Sequence, residues 1–318
     1  MNPTPATGTK RITASSSIDW LLVAAPGMIW GASFLFIAEG LKSVAPNGIT
    51  FIRIFIGFAT LAFFPAARKP VERSAWIGIA ALAVLWFAFP LSMFPFAEQR
   101  VSSALTGMLN AVTPLFVAIV AAVIARKLPS SRVSLGLLTG ILGSVLIALP
   151  SVHEGRSSTL GVLLILLACA SYGLALNLAL PLQKKYGALP VIWRAMGIAA
   201  VATAPLGLPA VGSAHWRVGP LLCLLTLGAA GTGIAFVLIG LAATRVGATR
   251  ASAAAFLIPP VSLLLGVLVR GEHVALLSII GSIVCVAGAW MIRPQSPKPQ
   301  SEPKPEVVTY EQCAATRN

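Results

Sequence analysis

Two arginines stand inside otherwise apolar runs of this chain. Arg53 and Arg194 each lie roughly two turns past the start of a run, about 10 Å deep at 1.5 Å per residue of helix. A guanidinium at that depth either reaches back to water along its aliphatic stem or meets carbonyls or an anion. Both are therefore candidates for gating, for structural pairing or for contact with a carboxylate. Glu39, Glu98 and Glu272 fall at the ends of such runs, where solvation or pairing with Arg100 or Arg270 is expected, and where a gating role stands as the alternative. The mid-run polar and aromatic groups are Trp30, Ser33, Trp86, Asn110, Tyr172, Asn177 and Phe236, with Phe89, Pro90 and Met93 shortly after Trp86. An amide such as Asn110 must find a partner or face water. Trp and Tyr ordinarily collect at membrane surfaces, so their mid-depth placement favours a cavity lining over plain helix packing. These are groups for recognition rather than for making bonds. His153, His215 and His273 sit in loops or at run ends, and neither HExxH, GxSxG nor an interior Asp pair occurs, so no enzyme is expected. Cys169, Cys223, Cys285 and Cys313 have no CxxC or Cys/His spacing; no metal, cofactor or disulfide framework is expected either.

The elements that position these residues are apolar runs of bilayer length. Only 10% of the chain is charged and 57% is hydrophobic, against about 25% charged in a soluble domain that needs a wetted surface. The spans drawn from the runs are 18–38, 46–67, 74–97, 101–124, 131–149, 159–182, 188–210, 217–243, 249–270 and 273–292, each near the ~20 residues a hydrocarbon core requires. The fold class expected is an all-α membrane protein of ten transmembrane helices. Residues 1–17 read as a polar cytoplasmic tail without the order of a cleaved signal. Residues 294–318, rich in Pro and charge, read as a disordered cytoplasmic tail. The net charge of +14 is spread singly or in pairs between runs, which argues against nucleic acid and for positively charged inner loops. With the N-terminus inside, Lys and Arg number sixteen on that side (Lys10, Arg11, Arg68, Lys69, Arg73, Arg126, Lys127, Arg132, Lys184, Lys185, Arg245, Arg250, Arg293, Lys298, Lys304, Arg317) and five on the other (Lys42, Arg100, Arg156, Arg217, Arg270). Both termini are then cytoplasmic, in a plasma (bacterial inner) membrane.

The chain repeats itself. Arg100-Val101 and Pro114 recur as Arg245-Val246 and Pro259 at an offset of 145, which also carries Gly136 to Gly281 and Gly143 to Gly288. Trp30-Gly31 matches Tyr172-Gly173 at 142, and Arg53 matches Arg194 at 141. The expected units are 18–150 and 158–293, five helices each. An odd number of helices forces the second unit to start from the opposite side, so the repeats are inverted, a plan that recurs among secondary transporters. Glycines at 136, 140, 143, 281 and 288 suit tight helix packing within a monomer, with a dimer contact as the lesser reading.

Trp30-Gly31-Ala32-Ser33-Phe34, Arg53, the stretch Ser102 to Pro114, and Gly271-Glu272 with Gly281 and Gly288 together resemble the EamA repeats of the drug/metabolite transporter superfamily. Among that family's members the chain is most similar to aromatic amino-acid exporters of the YddG type. Members usually carry Glu after the fourth helix, as Glu272 follows the ninth here, whereas this chain has Lys127 at the matching position.

The expectation is a secondary transporter exporting aromatic and other neutral amino acids, or similar small neutral metabolites, by alternating access. Its partners are that small-molecule substrate and membrane lipids. A cationic drug would call for a mid-span carboxylate and a phosphorylated substrate for deep Lys or Arg, and neither stands at mid-depth. The candidate substrate-binding residues are Trp30, Ser33, Trp86, Phe89, Asn110, Tyr172, Asn177 and Phe236; Arg53, Arg194, Pro114, Pro259 and Glu272 are candidate gating or structural residues. With no mid-span titratable group, passive and proton-coupled exchange stand equally open. The alternative is a lipid or amphiphile scramblase, or a membrane scaffold that transports nothing.

Overall fold

The computed structural model describes residues 17–126, 130–153, 159–246 and 252–292; both tails and Lys127 lie outside them. Helices account for nearly all of these residues, and no strand occurs among them. In chain order the segments are α1 (Ser17–Gly40), α2 (Pro46–Ala62), α3 (76–98), α4 (Ser103–Ala125), α5 (Ser131–His153), α6 (Thr159–Tyr186), α7 (Ala188–Gly212), α8 (218–246), α9 (252–270) and α10 (Leu276–Ile292). The second is shorter than its apolar run suggested. It stops at Ala62, and Pro65–Arg68 forms a separate 3-10 turn. Seven of the segments are long and apolar enough to cross a membrane, and three are shorter apolar helices: Pro46–Ala62, Ile258–Arg270 and Leu276–Gly288. The outward surface confirms the solvent. Ile77 is 85% exposed and Val201 75%, with many other large aliphatics beside them, a patchwork far beyond what a water-soluble monomer shows.

Local chemistry places the helix ends. Pro46 opens α2 at a position where its missing N–H costs no helix bond. The Ser102 hydroxyl caps α4 by accepting from the Leu105 N–H at 3.2 Å. α4 and α9 end alike, with a left-handed residue at matching places: Arg126 with φ 50° and Gly271 with φ 63°. Glycine takes that conformation freely and arginine does not.

Four helices depart from α geometry at related positions. α3 widens into a π segment over Ala83–Ala88, and α8 does so over Leu227–Ile234. α4 and α9 each carry 3-10 turns, Asn110–Val112 and Ser252–Leu257, just before Pro114 and Pro259. Gly231, Thr232 and Gly233 are buried inside the π segment of α8. Pairwise packing follows the same relation. α1 lies against α8 and α9, and α6 lies against α3 and α4, while α2 packs on α7, α4 on α9 and α5 on α10. The α5–α10 pair is glycine-lined: a Cβ on Gly288 would stand 2.5 Å from the Gly140 nitrogen, and one on Gly281 2.7 Å from the Gly143 oxygen. The repeat glycines are thus spent on one internal crossing of closely packed backbones.

Arg126→Gly should raise stability by about 1 kcal/mol by removing the left-handed penalty. An upward shift of the melting temperature in detergent would show it, and an unchanged or lower one would refute it.

Candidate functional site

Each π segment loosens the regular ladder of its helix, and in both cases a neighbouring helix takes a carbonyl of that turn. The Trp30 indole N–H of α1 donates to the Gly231 carbonyl of α8 at 3.1 Å. The Ser171 hydroxyl of α6 donates to the Leu85 carbonyl of α3 at 2.7 Å. Trp30 and Tyr172, the residue after Ser171, are repeat matches, so the two ties mirror one another. π turns of this kind often mark functional places in helices.

Around the first tie lies an aromatic cluster. Phe236 meets Trp30 edge-on at 5.8 Å, Trp86 edge-on at 5.6 Å and Phe87 at 5.7 Å between ring centroids. Trp86 is buried at 9% exposure. Ser33, one turn beyond Trp30, is buried and donates to the Ile29 carbonyl at 2.9 Å. A second group joins Tyr172 to Phe94 at 6.1 Å and Phe94 to Phe34 at 5.6 Å. Four of the expected site residues, Trp30, Ser33, Trp86 and Phe236, therefore gather where α1, α3 and α8 meet, and Tyr172 lines the adjoining group. Phe89 does not join them. It is 37% exposed and belongs to none of the ring pairs, because it falls on the outward side of α3. Asn110 and Asn177 are occupied elsewhere, along α4 and α6. Asn110 Oδ1 accepts from the Thr113 hydroxyl at 3.2 Å and the Cys169 thiol at 3.7 Å, and Asn177 Nδ2 donates to the Val117 and Gly173 carbonyls at 3.1 and 2.9 Å. These amides fasten two helices.

The repeat-matched arginines behave differently. Arg194 is well served: its two Nη atoms donate to the Ala67, Pro190 and Lys69 carbonyls at 3.2, 3.1 and 2.8 Å, and its guanidinium lies over the Trp193 ring. It fastens the loop between α2 and α3 to α7. Arg53 is 5% exposed and makes one hydrogen bond among the described residues, from Nε to the Thr232 hydroxyl at 3.3 Å. It does not reach the interface by snorkelling.

At the end of the bundle carrying the 41–45 loop, carboxylates and cations form a chain. Arg270 bonds Glu39 at 2.7 Å and Glu272 at 3.0 Å, and Lys42 bonds Glu39 at 2.7 Å. Glu272 also caps α4, accepting from the Ser103 N–H and hydroxyl at 3.1 and 2.7 Å and from the Ala104 N–H at 2.8 Å. The pairing expected for Glu39 and Glu272 is thus present. Glu98 departs from expectation: it is neither solvated nor paired, and both carboxyl oxygens are buried without a partner among the described residues. Its neighbour Arg100 donates instead to the Phe96 carbonyl at 2.8 Å. The sequence signal missed was the one-turn spacing from Phe94 to Glu98, which turns the carboxyl inward with the ring.

At the opposite end Glu72 ties the α2–α3 loop to α6. It accepts from Lys185 Nζ at 2.9 Å and the Tyr186 hydroxyl at 3.0 Å. These hydrogen bonds, Lys185 first, hold its carboxyl below the ordinary range. The tie is therefore present at neutral pH and is lost as pH falls through that lowered value.

An all-helical bundle with a lipid-facing exterior and its aromatic and charged groups turned onto one another is a polytopic membrane protein. The EamA-like transporter family model matches it twice, over residues 18–149 and 159–293, and the chain belongs to that family. It is 27% identical over 271 residues to the uncharacterized transporter YdfC of Bacillus subtilis (strain 168), covering 82% of this chain and 86% of that protein. It is 26% identical over 282 residues to a probable terminal-alkyne amino-acid exporter of Streptantibioticus cattleyicolor, covering 87% and 93%. A solved crystal structure superposes with a TM-score of 0.55 at 20% identity, over 87% of this chain and 97% of that one, a likeness that shows the fold.

Trp30→Phe should cost about 1 kcal/mol, since it keeps the ring and removes the N–H to the α8 carbonyl; thermal unfolding in detergent measures it, and an unshifted midpoint would count against the tie. Glu72→Gln should open the α2–α3 loop, read as faster trypsin cleavage at Arg68, Lys69 or Arg73 in solubilised protein at neutral pH. Unchanged cleavage would mean the tie holds nothing.

Proposed function

We propose that this transporter exports amino acids, aromatic and other neutral ones, or similar small neutral metabolites, by alternating access between two inverted five-helix units. The observation that carries the reading is the mirrored seam: the first helix of each unit holds a carbonyl of the other unit's widened third helix. A seam made of two equivalent ties can exchange which end it closes at small cost, as inverted repeats allow. The reciprocal packing of α1 on α8 and α9, and of α6 on α3 and α4, supports the inverted units. The three shorter helices are counted as crossings, giving ten, because α2 and α10 at 17 residues reach the lower end of spanning length. The units are taken as 18–150 and 158–293.

The substrate surface is the ring cluster of Trp30, Trp86 and Phe236 with Tyr172 beside it, an apolar lining suited to a neutral molecule with an aromatic or aliphatic body. The amino-acid assignment draws further support from the printed name of the Streptantibioticus cattleyicolor relative. Arg270 with Glu39 and Glu272 serves as the outer closure, and Arg194 with Glu72 as the inner one. The protein sits in the plasma (bacterial inner) membrane with both termini cytoplasmic, as the Lys and Arg distribution favours.

Proteoliposomes holding the purified protein should take up labelled phenylalanine, threonine or methionine by counterflow. Trp86→Ala should lower the phenylalanine rate about tenfold or more, through loss of a ring contact in a buried pocket. Transport of no amino acid, or movement of fluorescent lipid in its place, would sink the reading.

A further inference from the structure

We propose that Arg53 and Glu98 are the two poles of a zwitterion site, the guanidinium receiving an α-carboxylate and the Glu98 carboxylate receiving an α-ammonium. The inference rests on the carrier reading above and names the chemistry that reading left open.

Arg53 is buried with a single hydrogen bond, and the Glu98 carboxyl oxygens are buried with none among the described residues. Arg53 gives one N–H to Thr232, leaving both Nη groups without a partner among the described residues, whereas its match Arg194 spends its Nη atoms on three carbonyls. A guanidinium presents parallel N–H pairs that fit a carboxylate in bidentate fashion. Glu98 has two buried oxygens and no donor among the described residues. The cations that might have served it are committed elsewhere, Arg100 to a carbonyl and Arg270 to Glu39 and Glu272. Arg53, Arg270 and Glu272 are the charged groups within electrostatic reach of Glu98. Arg53 is not ion-paired with it, since no bridge joins the two.

A carboxyl buried without a donor beside a deep guanidinium with a single hydrogen bond is costly to keep, because little of the lost hydration is replaced. An α-amino acid carries the complementary pair on adjacent atoms, and its insertion serves both poles at once. The scaffold holds the two in register. Thr50, one turn before Arg53, shares its hydroxyl between the Pro46 carbonyl of its own helix at 3.1 Å and the Leu91 carbonyl of α3 at 3.3 Å, so α2 and α3, which carry the two poles, lie in contact near Arg53. A side-chain surface adjoins them. Phe94 lies one turn before Glu98 on the same face of α3, and it packs on Tyr172, itself within electrostatic reach of Arg53. The bound molecule's apolar body would lie on Tyr172, the ring this site shares with the substrate surface proposed above.

The test compares the best-carried of phenylalanine, threonine and methionine with its decarboxylated amine and its deaminated acid; for phenylalanine these are phenethylamine and 3-phenylpropionate. Binding is read by ligand-induced thermal shift in detergent, and transport by counterflow. The wild-type protein should favour the amino acid over both analogues. Arg53→Gln should weaken the amino acid about tenfold or more while the amine now binds at least as well as the amino acid. Glu98→Gln should weaken it similarly while the acid is admitted. The crossed gains distinguish lost poles from misfolding, which cannot create a new preference. Either variant binding the amino acid within about twofold of wild type, or both losing it with no gain of their analogue, overturns the inference while the carrier reading stands. A wild-type protein that carries no amino acid overturns that reading and this one together.

Discussion

In a bilayer a backbone carbonyl that leaves its helix must be met by another group of the protein, because no water is present to meet it. The two π segments create that demand on α3 and α8, and the ties from Ser171 and Trp30 answer it. The rest of the interior is organised around these contacts. Trp30 can reach Gly231 only because α1 crosses α8 closely, and glycine at 231 leaves room for it beside the Ser33 hydroxyl. The ring cluster on Phe236 follows from that crossing. So does the burial of Thr232, whose hydroxyl donates to the Leu227 carbonyl at 3.1 Å within the widened turn and accepts from Arg53.

The two matched units share a frame and diverge in their charges. Prolines, glycines and left-handed helix ends recur at matching places, since they set backbone geometry that both units need. The arginines recur in sequence and separate in use: Arg194 closes a loop onto carbonyls, while Arg53 sits deep with its Nη groups unspent. The carboxylates diverge too. Glu272 serves the start of α4 and Arg270 together, and its matching position holds Lys127, which cannot accept from helix N–H groups. The end of the bundle with the acidic clasp and the end with the carbonyl latch are consequently held by different chemistry.

Much of this was legible beforehand. The helical segments lie within a few residues of the apolar runs, save α2, where Pro65 follows a run that continues past the helix. Ring clustering at Trp30, Trp86 and Phe236 was readable from mid-depth placement, because aromatics far from the membrane surface need an interior reason to be there. Asn110 and Asn177 gave the same sequence signal as a cavity lining and are used for helix pairing, since an amide is satisfied equally by a neighbour's carbonyl and by a ligand. Phe89 shared its neighbourhood with Trp86 but not its side of the helix, a distinction that the π segment between them shifts and that a regular 3.6-residue period cannot track.

By itself the sequence determined the solvent, the placement of the helical segments and which residues match between its two halves. These depend on composition and on neighbours within a turn or two, where apolar length, proline and glycine act locally. Tertiary structure alone decided which polar groups are satisfied. The Trp30 and Arg53 bonds join residues 201 and 179 positions apart, and the isolation of Glu98 is the sum of commitments its neighbours make to other helices. Whether a buried charge is spent or free is a property of everything packed around it, and no local pattern of residues records it.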